Sequence, residues 1–157
     1  MRRLTAVLAT VFFIMAGLAA WFYLGGTLRA EPYIRTARAA DYPEAFGAIR
    51  GLLDSGSAPQ ILGSEAVSED PAAYTLVDIS VTLTNRGLFP AEWLDISATA
   101  APGDIAVYAI TGEGSTIAAR DSGQVNLKLI TTARADALRD VVIQYYVHGM
   151  KRAITVR

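Results

Sequence analysis

The stretch VDISVTLTN at residues 77–85 decides the fold. Val77, Ile79, Val81 and Leu83 point one way, and Asp78, Ser80, Thr82 and Thr84 the other, a period of two that belongs to a half-buried antiparallel strand. Moving outward, the same alternation recurs around Leu94, Ile96 and Ala98, across residues 105–110, at Val125, Leu127 and Leu129, and across residues 141–147. Turn signals separate these runs: NRG at 85–87, APG at 101–103, TGEG at 111–114, DSG at 121–123 and HGMK at 148–151. A last strand over 152–156 makes a terminal hairpin with its predecessor. Short strands at this spacing, with no helix between them, predict a mainly β chain: an immunoglobulin-like antiparallel β-sandwich, with an open barrel as the alternative.

Upstream of the strands the periodicity changes. Asp41 can cap a helix, Pro43 suits its first turn, Phe46, Ile49 and Leu53 share one face, and Gly56 supplies a stop. Such a face needs a sheet or a partner to cover it. Residues 27–40 hold Pro32 and mixed charges and are expected to form a membrane-proximal connector, with a short helix through EPYIRTARAA.

Residues 4–24, LTAVLATVFFIMAGLAAWFYL, carry no charge over 21 positions. At about 1.5 Å per residue that matches the roughly 30 Å hydrocarbon layer of a bilayer. Arg2 and Arg3 precede the segment, Trp21 and Tyr23 lie at its far end, and Gly25 and Gly26 follow it. The expected organisation is a single-pass anchor over 1–26, the connector over 27–40, and a helix plus extracytoplasmic β-domain over 41–157. Arg29, Arg35 and Arg38 blunt the charge asymmetry, yet the immediate flank favours an N-terminus inside the cell membrane. The alternative is a signal peptide cleaved near Ala30, which would free the domain for export. Ala6, Ala9, Ala16 and Ala20 recur at helical spacing, as alanines do in any such helix.

Composition agrees with one anchor and one domain. The 157 residues leave, beyond the apolar segment, enough chain for a single core. Much of the 52% hydrophobic content, and of the mean hydropathy of +0.31, sits in that segment. Without Arg2 and Arg3 the chain has 12 basic against 15 acidic residues, a balance that speaks against nucleic acid as a partner. There is no cysteine, which excludes disulfides, thiolate metal sites, a thiol nucleophile and a lipidated cysteine.

The string ISVTLTNRGLFPAEWLDISA at 79–98 resembles the second-to-third strand region of bacterial FxLYD-type domains and of water-stress-and-hypersensitive-response domains. The resemblance spans residues 58–157 in pattern and rests on Asn85, Gly87 and Pro90. It implies a small immunoglobulin-like sandwich held outside a membrane. It carries no functional residue across.

The sharpest enzyme-like string is GLLDSGSA at 51–58, similar to the active-site loop of aspartic proteases, with a second Asp-Ser-Gly at 121–123. That chemistry needs two carboxylates sharing a proton. Here Asp54 falls at the end of a predicted helix, and Arg120 replaces the apolar residue before Asp121. An envelope hydrolase using Asp54 is therefore the rival reading, and helix end plus turn the preferred one. His148, the single histidine, stands in a predicted hairpin turn, which argues against a zinc site or a serine triad. The densest acids, Glu65, Glu69, Asp70 and Asp78, lack calcium-loop spacing. No catalytic residue, metal or cofactor is expected. Phe89, Trp93, Tyr145 and Tyr146 form the aromatic mass of the domain. Alternation puts one of the two tyrosines in the core and the other on the surface, where an exposed ring can meet an envelope protein or a glycan.

Overall fold

The computed structural model describes residues 2–24, 28–63, 66–132 and 139–157, and within the first helix the side chains of residues 6–21. Helix α1 occupies Arg2–Leu24. Among the described residues no helix is long and apolar enough to cross a membrane. The described side chains of α1 cover 16 positions, about 24 Å of helix against a hydrocarbon layer of roughly 30 Å. Gly25 and Gly26, expected to end the helix, lie outside the described residues.

Eight strands follow: β1 (Leu28–Arg38), β2 (Gln60–Ile61), β3 (Thr75–Asn85), β4 (Glu92–Ala98), β5 (Asp104–Thr111), β6 (Ser122–Thr131), β7 (Val141–Val147) and β8 (Met150–Val156). They form two antiparallel sheets, one in the order β1-β3-β6-β5-β2 and one in the order β4-β7-β8. The chain is thus a mainly β sandwich and not a closed barrel. Alternation in β3 does what its sequence dictates: Val77, Ile79, Val81 and Leu83 are buried between the sheets. There they share one core with Leu94 and Ile96 of β4, Leu127 and Leu129 of β6, and Ile143 and Tyr145 of β7. Each such side chain removed from water contributes about 1.5–3 kcal/mol.

Helix α2 (Pro43–Asp54) follows a 3₁₀ turn at Ala39–Asp41. Its apolar face covers the outer side of the five-stranded sheet: Phe46 and Ile49 pack with Tyr74, Ile105, Ala106 and Ile130 in a second cluster. The Phe46 and Tyr74 rings stack at 5.5 Å. The N-cap is Tyr42, one residue beyond the expected Asp41, because Asp41 closes the 3₁₀ turn. The C-terminus ends as predicted. Gly56 takes φ 67°, its N–H meets Leu53 O at 3.0 Å, and the Ser57 N–H meets Leu52 O at 2.9 Å, the paired bonds of a Schellman stop.

Three expectations are corrected. Residues 28–38, read as a connector with a short helix, form an edge strand paired along its whole length with β3, so the folded β unit begins at Leu28 and not at residue 41. Most of β1 is exposed on both sides, so period two never appears in its sequence, and its Ala and Arg content mimics a helix. Pro32 and the charges are instead the marks of a protected edge. Strand β6 begins at Ser122, so the turn expected at 121–123 comes earlier, with Arg120 at φ 63°. Alternation in β5 is broken, with Asp104 through Val107 all buried, because α2 covers the outer face there and bulges shift the register.

Candidate functional site

Strand β4 is the edge of the three-stranded sheet, and its pairing with β7 is interrupted between Glu92 and Asp95 by a bulge. At that bulge Trp93 adopts φ 54°, a left-handed conformation that bulky side chains adopt only under constraint. The constraint is visible on both sides. Ala91 pairs with Ile117 through both backbone bonds, 2.9 and 2.8 Å. Leu94, itself buried, turns its backbone to the same crossing segment: its N–H reaches Ser115 O at 3.2 Å and its carbonyl accepts from Gly114 N at 2.6 Å. Held between two anchored neighbours, Trp93 projects outward and is 70% exposed. Tyr146 of β7 lies opposite Glu92 in the register and is 37% exposed, whereas Tyr145, one step along, is 2% exposed and accepts a hydrogen bond from the Leu28 N–H across the sandwich at 3.3 Å. The expected split of the two tyrosines is thus observed. Trp93, Tyr146, Glu92 and Gly149 line an open cavity of about 490 Å³.

The loop between β3 and β4 is built by Asn85, a buried residue. Its Nδ2 donates to Phe89 O (2.8 Å), Ala118 O (3.1 Å) and Ile117 O (3.2 Å), while its Oδ1 accepts from the Gly87 N–H (2.9 Å). Asn85 and Gly87 are therefore structural: one amide side chain ties the loop to the segment that braces Trp93. Phe89 is partly buried, and its ring meets that of His148 at 3.8 Å, edge to face. His148 sits in the hairpin turn, as the sequence implied, at φ 52° followed by Gly149 at φ 72°.

The two Asp-Ser-Gly carboxylates are not brought together. Asp54 ends α2, which packs at the start of β3, while Asp121 meets the Asn85 N–H at the other end of that strand. Strand β3 has 11 residues, which spans about 35 Å. Of the acids considered for calcium, Glu65 lies outside the described residues, Glu69 pairs with Arg50, Asp70 caps Ala72 N–H, and Asp78 pairs with Lys128. Among the described residues no cluster of three or more metal-ligating side chains occurs.

Two features escaped the sequence. One is a buried ion pair: Arg139 Nη2 meets Asp104 Oδ1 at 2.7 Å and Nε meets Oδ2 at 2.9 Å, while Asp104 Oδ2 also accepts from Ala101 N–H at 2.9 Å. The other is a cleft of about 400 Å³ beside α2, lined in part by Arg35, Tyr42, Asp78, Tyr108 and Lys128. Burial raises the Tyr108 pKa there, with Asp78 adding to the shift. Neither had a motif to announce it, because each joins residues from distant strands.

No protein-family model matches the chain, and no curated protein matches it. Among solved structures it is similar to the Northeast Structural Genomics Consortium target SoR45, with 14% identity, 83% of this chain and 82% of that one covered, and a TM-score of 0.45. An uncharacterized β-sandwich protein from Clostridium difficile 630 aligns over 83% of this chain and 85% of its own, with 9% identity and a TM-score of 0.30.

Proposed function

We propose that the chain is a single-pass, membrane-anchored, non-catalytic binding module of the cell envelope, whose β-domain lies outside the cytoplasm and meets its partner, an envelope protein or a glycan, through Trp93 and Tyr146. The observation that carries this reading is the strained, exposed Trp93 on a braced bulge, since a conformation that costs about 1–2 kcal/mol per residue persists only where surrounding structure fixes it. Tryptophan and tyrosine give large contact area at low entropic cost, and they dominate binding surfaces. The ground for anchoring is the sequence of residues 4–24, which carries no charge over 21 positions, a length that matches the hydrocarbon layer at about 1.5 Å per residue. The order β1-β3-β6-β5 facing β4-β7-β8 matches that of a constant-type immunoglobulin sandwich, which supports the immunoglobulin-like assignment and fits the FxLYD-type resemblance. The separation of Asp54 from Asp121 along β3 argues against the aspartic-protease-like pair.

A photoreactive phenylalanine derivative placed at position 93 in living cells tests the surface. A discrete adduct is expected from 93 and none from Thr82, an exposed position on β3. Equal adducts from both positions, or none from 93, would reject Trp93 as the contact.

A further inference from the structure

We infer that the end of the sandwich nearest α1 binds the phosphate of an anionic phospholipid, with Arg86 and Arg120 as the ligating side chains; this rests on α1 being a membrane anchor. A cavity of about 420 Å³ lies between α1 and the sandwich, lined by Gly17, Ala20 and Trp21 from the helix and by Arg86, Gly87, Leu88 and Arg120 from the domain. The two arginines reach it from separate segments, the loop after β3 and the turn before β6. Both are exposed, and among the described residues neither has an acidic partner within ion-pair distance. Of the acids near this end, Glu31 pairs with Arg29 at 3.1 Å and the Asp121 carboxylate accepts from Ser122 N–H at 2.7 Å, while Glu92 and Glu113 do not line the cavity. Leu88, 45% exposed, offers an apolar tip beside them. On the helix side small residues leave the space open, and a Cβ added at Gly17 would meet nothing within 4 Å.

The tether makes this surface a membrane surface. Four peptide steps join the end of α1 at Leu24 to the start of β1 at Leu28, a reach of at most about 14 Å. Headgroups occupy roughly 5–8 Å on each side of the hydrocarbon layer, so a tether this short keeps this end of the sandwich within reach of them. A guanidinium fork matches a phosphate in two parallel hydrogen bonds, and two such forks without counter-ions favour a lipid of net negative charge.

The full chain, reconstituted in vesicles of phosphatidylcholine alone or with phosphatidylglycerol added, tests the inference by amide hydrogen exchange and by flotation. The anionic vesicles should slow exchange at least several-fold at residues 86–88 and 118–121, added salt should reverse the effect, and Arg86→Gln/Arg120→Gln should abolish it while flotation persists. Arg86→Lys/Arg120→Lys, which keeps charge without the fork, should retain part of the protection and serves if the Gln pair misfolds. Chain that floats but shows equal exchange in both lipids, or unchanged protection in the double variant, overturns the phosphate site and leaves the anchor intact. Chain that does not float overturns the anchor and this site with it.

Discussion

Asn85 and Trp93 flank one loop and are held by opposite means. Asn85 is satisfied on every side, so Asn85→Ala leaves the Phe89 carbonyl and the Gly87 N–H to find new partners, while the Ile117 and Ala118 carbonyls keep only their bonds from the Ala91 and Asp121 N–H groups. A loss of about 3 kcal/mol in urea unfolding is expected, and a loss below about 1 kcal/mol would show that water replaces the side chain readily. Trp93 has the reverse character, because its side chain is solvated while its backbone is strained. Trp93→Gly should therefore raise stability by about 1 kcal/mol, since glycine enters the left-handed region freely. Tryptophan at a position where glycine is more stable is the pattern of a residue kept for contact, and a lower thermal midpoint for Trp93→Gly would show instead that the ring packs.

At the scale of elements, burial decides what a substitution does. Val81 is buried between the sheets and Thr82, its neighbour on β3, is exposed, so Val81→Asp should unfold the domain and Thr82→Asp should leave the thermal midpoint nearly unchanged. Equal effects would mean a different register. The segment before β7 is tied to β5 by Arg139 and Asp104, whose side chains are 3% and 0% exposed. Asp104→Ala takes the carboxylate away from a buried guanidinium and should cost about 3–5 kcal/mol, whereas an apolar pair such as Asp104→Leu/Arg139→Met should restore much of it in denaturant titrations. These two pairs also mark what the sequence made legible. Strands β3 and β6 of one sheet and β4 and β7 of the other each bury one face in the core between the sheets, and their alternation could be read directly. Strand β1 has neither face well covered and β5 has both covered in part, so neither carried the signal. Trp93 was visible as an aromatic, but its exposure arises from a bulge and from bonds to residues 114–117, which no local pattern encodes.

At the scale of the whole molecule, the sandwich has two unlike ends, and the difference bears on topology. One end holds the start of β1, the loop after β3, the β7–β8 turn and Trp93, and the other holds α2. If Arg2 and Arg3 keep the N-terminus in the cytoplasm, the α2 end points away from the membrane on its outer side. Ser57, exposed just past α2, is a suitable reporter of that end, and labelling is clean because the chain has no cysteine. A cysteine at Ser57 should react with a membrane-impermeant thiol reagent on intact cells, or on spheroplasts where an outer membrane intervenes. A cysteine at Ser122, exposed at the anchored end beside Arg120, should react on the same side but more slowly, because headgroups compete for the space. Reaction of both positions only after lysis would place the domain in the cytoplasm, make Arg29, Arg35 and Arg38 of β1 the orienting charges, and remove the ground for an extracytoplasmic partner at Trp93.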